Sequence, residues 1–104
     1  MIDLRPDLQA AIVALCARCP GVGRVWLFGS RARGDGTRVS DIDLAIEAPN
    51  ATAADWLDLR FRLAEDLPTL VLVDVVRWEQ APERLRQRIL AEGVVLHDAA
   101  RPAA

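Results

Sequence analysis

Residues 41–47, Asp-Ile-Asp-Leu-Ala-Ile-Glu, constrain this chain most tightly. Their alternation has the period of a β-strand, in which side chains at i and i+2 share a face. Asp41 and Asp43 therefore project together, with Cβ atoms about 7 Å apart. Two like charges so placed repel each other, and at least one resists ionisation unless a cation lies between them. A strand that carries such a pair has to deliver it to a surface where something binds.

The rest of the sequence builds one small mixed sheet around that strand. Pro6 suits a first helical position, and the apolar period runs from Leu8 to about Cys19, where Cys-Pro-Gly-Val-Gly stops the helix. Arg-Val-Trp-Leu-Phe, 24–28, reads as a buried strand, and Gly-Ser after it as a tight turn into a short helix broken by Gly34 and Gly36. Thr52 and Asp55 form a capping-box signature for a helix that Pro68 ends after Leu67. Residues 70–78 predict a third strand with Asp74 in its interior. Pro82 and Gly93 bracket a last helix, and Val-Val-Leu-His-Asp, 94–98, predicts a last short strand. The order α-β-(α)-β-α-β-α-β implies an α/β (α+β) fold, a mixed β-sheet with flanking helices. Residues 1–98 read as a single domain and 99–104 as a flexible tail.

Composition excludes several classes. With 104 residues the chain has room for one modest core. Hydrophobic content of 52% against 27% charged is that of a folded chain. A net charge of −2 provides no global basic field, so no direct nucleic-acid binding is expected. All 13 basic residues are arginine, which rules out a lysine base or Schiff base. No run approaches the ~20 apolar residues of a membrane span, and the first residues lack the pattern of a signal peptide, so a cytoplasmic protein is expected. Cys16 and Cys19 fall at helical spacing with Leu8, Ala11, Ile12 and Leu15, and read as core thiols. A zinc site would need a second ligand pair, and the sole histidine, His97, lies far along the chain.

The acidic residues point to metal-assisted phosphoryl chemistry. Oxygen ligands few in number suit Mg²⁺ that is also held by a substrate's phosphates. Asp74, an aspartate inside an apolar run, is the natural third member, since a charge there is costly unless paired or on a metal. Three carboxylates on adjacent strands can hold two metals about 4 Å apart, the arrangement used for in-line displacement at phosphorus. Upstream, Gly29 lets the backbone turn tightly against a ligand, and Ser30 adds a donor at the start of a short helix. Arg31, Arg33 and Arg38 add positive charge that suits phosphate oxygens, although Arg31 and Arg38 fit solvated loop positions better than ligand positions.

The stretch Phe-Gly-Ser-Arg-Ala-Arg-Gly-Asp-Gly-Thr-Arg-Val-Ser-Asp-Ile-Asp-Leu-Ala-Ile, 28–46, with Asp74 beyond it, resembles the signature of the polymerase-β-like nucleotidyltransferase superfamily. In particular it looks like the minimal nucleotidyltransferases, small domains paired with a helical partner of the HEPN type. The resemblance implies Gly29, Ser30 and Arg33 at the nucleotide phosphates, and Asp41, Asp43 and Asp74 as catalytic metal ligands. It implies ATP as substrate, two Mg²⁺ ions, and transfer of AMP to an acceptor hydroxyl, with the HEPN-type partner as acceptor and this chain as its antitoxin. A non-catalytic module that silences its partner by covering it, or an enzyme acting on a small molecule such as an aminoglycoside, stays open on the same residues.

The remaining features have plainer readings. Asp35 suits turn chemistry, and His97 a structural or exposed position near a strand end. Asp55, Asp58, Arg62, Glu65 and Asp66 make the wet face of their helix. On the same helix Trp56, Leu57, Leu59, Phe61, Leu63, Ala64 and Leu67 cover a wider arc than one core needs, so part of it is a candidate protein interface. Trp78 is a second candidate anchor.

Overall fold

The computed structural model describes residues 2–37 and 39–100. Eight principal elements follow the expected order: α1 (Pro6–Arg18), β1 (Arg24–Phe28), α2 (Ser30–Arg33), β2 (Ile42–Ile46), α3 (Ala53–Glu65), β3 (Val73–Arg77), α4 (Glu83–Glu92) and β4 (Val94–Asp98). The sheet order is β3-β2-β1-β4. β1 runs antiparallel to β2 and to β4, while β2 and β3 are parallel. Such mixed pairing follows from the connections: α3 returns the chain to the same end of the sheet before β3 begins.

The strand alternation sorts the side chains into two cores. Val25, Leu27, Ile42, Leu44 and Ile46 face α1 and α3, where they meet Leu8, Ile12, Cys16, Trp56, Leu59 and Leu63. Trp26, Phe28 and Ala45 face the other way, onto Ile89 of α4. Burying about ten large aliphatic side chains in the first core, at roughly 1.5–3 kcal/mol each, makes it the main source of stability. Asp43 and Asp74 alternate with residues of that first core, which puts both on the α4 face.

Several expectations need adjustment. The third strand begins at Val73, not residue 70. Thr69 donates its N–H to the Leu67 carbonyl at 2.8 Å and its hydroxyl accepts from Val71 N–H at 3.2 Å, so this segment spends its donors locally before the ladder starts. Leu70 and Leu72 are left exposed. Trp78 leaves the strand in a single 3₁₀ turn and stacks on Trp26 with ring centroids 4.8 Å apart, so it anchors this fold rather than a partner. Trp56 is likewise buried, beneath the Arg77 guanidinium, whereas Leu57 and Phe61 are exposed. The wide apolar arc of α3 thus divides into an inner and an outer stripe.

The capping-box and cysteine readings hold. The Thr52–Asp55 capping box forms in both directions, at 3.1 and 3.2 Å. Cys16 is fully buried and Cys19, at the helix cap, partly so. Ala99 and Ala100 are hydrogen-bonded to Gly23 and Asp98. The rest of the expected tail, 101–104, lies outside the described residues, as does Arg38. Among the described residues no helix is long and apolar enough to cross a membrane.

Candidate active site

The site is assembled where β1 ends and β2 and β3 begin. β1 delivers the chain to Gly29, which takes φ +76°, a conformation that L side chains rarely adopt. A β-carbon at this position would also run into Oδ2 of Asp43. Glycine is therefore required twice: for the turn, and for the space in which the Asp43 carboxylate sits. Ser30 then opens α2, which closes one turn later at Gly34 in the left-handed region.

Asp43 pairs with Phe28 across β1–β2 and stands directly beside Asp74 across the parallel β2–β3 pair. Neighbouring strands are about 4.8 Å apart, so the two carboxylates share one patch of surface. Asp43 is half-buried, and its carboxyl is pushed above the usual aspartate range. Burial is the main cause, followed by repulsion from Asp74 and then Asp41; Arg33 and Arg88 partly offset it. Asp74 is exposed on the edge strand, because β3 pairs only with β2. The burial cost expected of an interior aspartate does not apply to it. Asp41 is also exposed and precedes β2 rather than starting it.

Among the described residues no three Asp, Glu, His or Cys side chains close into a ready-made metal cage. What the structure brings together is an in-register carboxylate pair with a third carboxylate close enough to raise Asp43. That donor set suits a hard cation that takes its remaining ligands from phosphate and water. Mutual repulsion at Asp43 is the strain that such a cation would relieve. A groove of about 900 Å³ lies elsewhere, lined by Arg5, Leu8, Arg31, Leu67, Pro68 and Leu70. The carboxylates do not line it.

The arginines divide differently from expectation. Arg31 is not a solvated loop charge: it is buried, with Nε donating to the Ser40 carbonyl and Nη1 to the Asp3 carbonyl. Arg33 is the outward cation, pairing with Asp35 and with Glu92 at 3.2 Å each. Sequence reasoning missed Arg88, which shares Glu92 with Arg33 and acts on Asp43 from α4. The signal was present only in the spacing of Arg88 and Glu92 on one helix, which by itself reads as an ordinary surface ion pair.

A mixed sheet whose first strand turns through Gly-Ser into a short helix, with paired carboxylates on the next two strands, defines the nucleotidyltransferase class. This chain belongs to the polymerase-β nucleotidyltransferase family: the family model described as "Polymerase beta, Nucleotidyltransferase" matches residues 10–101. Among curated relatives it is 31% identical over 100 residues to the "Probable protein adenylyltransferase MntA" of Haemophilus influenzae, covering 93% of this chain and 85% of that protein. Among solved structures it resembles a toxin–antitoxin crystal structure with AMP-PNP, at TM-score 0.73 and 29% identity over 88% of this chain and 73% of that one. It also resembles a complex of a tri-AMPylated Shewanella oneidensis HEPN toxin with MNT antitoxin, at TM-score 0.66 and 26% identity over 88% and 71%.

Proposed function

We propose that this chain is a Mg²⁺-dependent protein adenylyltransferase that moves AMP from ATP to a hydroxyl of a HEPN-type partner, acting as that partner's antitoxin in the cytoplasm. Residues 1–98 serve as its single catalytic domain. The observation that carries the reading is the Asp43–Asp74 register beside the Gly29 turn. The relatives named above, a probable protein adenylyltransferase, a toxin–antitoxin structure with AMP-PNP and an MNT antitoxin with a tri-AMPylated HEPN toxin, support this choice of substrate and partner.

In this reading Asp41, Asp43 and Asp74 hold two Mg²⁺ ions, which when bound neutralise the triphosphate and make the acceptor hydroxyl more acidic. Gly29 and Ser30 receive the phosphates, and Arg33 exchanges its contacts with Asp35 and Glu92 for phosphate oxygens. Asp74, exposed on the edge strand, faces the incoming hydroxyl and takes its proton. The hydroxyl oxygen bonds to the α-phosphorus as the bond to pyrophosphate breaks. Positioning and charge neutralisation supply most of the rate in such a transfer. This chain contains no tyrosine, so a modified tyrosine would have to come from the partner.

The test is incubation of both proteins with labelled ATP and Mg²⁺. AMP should appear on the partner, located by mass spectrometry, and Asp41→Ala or Asp43→Ala should remove it. A partner that stays unmodified by the wild type, yet is silenced by either variant, would mean that covering rather than catalysis is the function.

A further inference from the structure

Arg31 is the one charged side chain that is buried among the described residues, at 8% exposure. A guanidinium taken out of water has to be satisfied by the protein. Its Nε donates to the Ser40 carbonyl at 2.9 Å and its Nη1 to the Asp3 carbonyl at 2.8 Å. The main chain adds a reciprocal link, with Asp3 N–H donating to the Arg31 carbonyl at 2.8 Å. The Asp3 carboxylate in turn accepts from Gly36 N–H at 3.0 Å. Gly36 packs so closely on the Arg31 stem that a β-carbon there would lie 3.1 Å from Cγ. Gly36 and Ser40 are therefore both fastened, one to the Asp3 carboxylate and the other to the Arg31 side chain.

The end of that loop is the start of the acidic pair. Ser40 closes the loop on Thr37, accepting Thr37 N–H on its hydroxyl at 2.8 Å and donating its own N–H to the Thr37 carbonyl at 3.1 Å. The residue after Ser40 is Asp41. One residue further, Ile42 N–H donates to the Leu72 carbonyl at 2.9 Å. Asp41 thus hangs between two pinned backbone groups, and a side chain supplies one of the pins. No strand ladder does this work, because β2 begins only at Ile42.

We propose that Arg31 is a positioning residue: by gripping the Ser40 carbonyl it sets where Asp41 presents its carboxylate to the metal-bound nucleotide, with Asp3 as the second half of the clamp. The inference rests on the nucleotidyltransferase reading for its consequence, but not for its geometry. Arginine is required because its rigid fork reaches two carbonyls in different directions, whereas a lysine ammonium is a single point on a flexible stem. Groups that orient metal ligands commonly matter at the level of about 10–100-fold in affinity or activity.

The experiment uses the full chain and two readouts that need no acceptor protein. Hydrogen exchange follows the amides of residues 34–41, and calorimetry follows binding of Mn²⁺ with ATP. Arg31→Lys should raise exchange in 34–41 while β1 and β2 stay protected, and weaken Mn²⁺–ATP binding by roughly 10–100-fold. Combined with Asp41→Asn it should cost less than about twofold more, since residues that act through one another are not additive. Asp3→Ala removes the acceptor of Gly36 N–H without altering the core, and should reproduce the exchange change with a smaller affinity loss. Arg31→Met, which keeps the packed aliphatic stem and removes both donors to the Ser40 and Asp3 carbonyls, decides the matter if Arg31→Lys fails to fold. Unchanged exchange in 34–41, or losses that add fully in the double variant, would overturn the proposal. A wild type that binds no Mn²⁺–ATP would instead overturn the nucleotidyltransferase reading, and exchange alone would still decide whether Arg31 holds the loop.

Discussion

Replacing Asp43 by asparagine should stabilise the metal-free protein and abolish transfer. Asparagine keeps the shape and removes the charge. Asp43 stands beside Asp74 on a paired strand, so two carboxylates about 5 Å apart repel by about 0.8 kcal/mol at the dielectric of water. Burial and Asp41 add to this, and Arg33 and Arg88 subtract. A net relief below about 1 kcal/mol is expected, since the site is partly exposed and the arginines offset the repulsion, which for a domain of this size raises Tm by a few degrees at most. The pH dependence has a definite sign. Because folding raises the Asp43 carboxyl above its ordinary value of 3.8, the folded chain holds more protons than the unfolded one in the interval above that value. The Asp43 contribution to wild-type stability therefore falls as pH rises through the interval. The Tm gap between variant and wild type should be negligible below about pH 3.8 and reach its full size by pH 7. It should shrink in 1 M salt, where the screening length is about 3 Å. Scanning calorimetry in chelator across pH reads all of this. A variant that melts several degrees lower at pH 7 would show that Asp43 is a structural acceptor, and the site as drawn would be wrong.

Four further outcomes test neighbouring parts. Gly29→Ala should cost at least about 1 kcal/mol for the positive φ alone and also displace the Asp43 carboxylate, so thermal melting and ATP calorimetry should both show a loss. Glu92→Gln should change Tm little, since surface ion pairs contribute at most about 1 kcal/mol, but tighten Mg²⁺–ATP binding a few-fold by releasing Arg33 and Arg88; weaker binding would mean that Glu92 holds Arg33 in its working position. Cys16, whose thiol burial pushes up to about 12, should resist alkylation at pH 8 until the chain unfolds, with any native labelling confined to Cys19, as peptide mass spectrometry would report. Leu57→Ser with Phe61→Ser should leave the unfolding free energy within about 0.5 kcal/mol of wild type because both side chains are exposed, while pull-down of the partner reports whether the outer stripe of α3 is a contact.

The parts legible in the sequence are those set by local chemistry. Periodicity and punctuation place α1, β1, β2, α4 and β4 to within about one residue, and the Thr52–Asp55 box starts α3 where expected. The acidic pair and the Gly-Ser turn could be identified because each conflicts with its surroundings unless something is bound. Properties decided by long-range partners could not be read. Arg31 and Arg33 are two residues apart on one short helix, and the carbonyls of Asp3, 28 residues upstream of Arg31, and of Ser40 hold one inward while the other pairs at the surface. Asp74 looked buried because its neighbours are apolar, but β3 lies at the sheet edge, where an apolar run need not be covered on both sides. Trp56 and Trp78 have the composition of interface anchors, yet Arg77 and Trp26 occupy them within the fold.

The two-faced sheet also limits how an acceptor can reach the carboxylates. Asp43 and Asp74 lie on the α4 face, whereas the exposed stripe of Leu57 and Phe61 rides on α3, against the other face. A partner held only by that stripe would be separated from the carboxylates by the thickness of the sheet. To bring a hydroxyl to Asp74 it has to come round the β3 edge, past Leu72 and Leu70, which lie exposed on the segment that leads into that strand. The edge is open because β3 has a neighbour on one side only. Among the described residues no strand pairs with the outer side of β3. If Asp74 serves the transfer as proposed, the exposed β3 edge is the side from which a partner's hydroxyl would reach it.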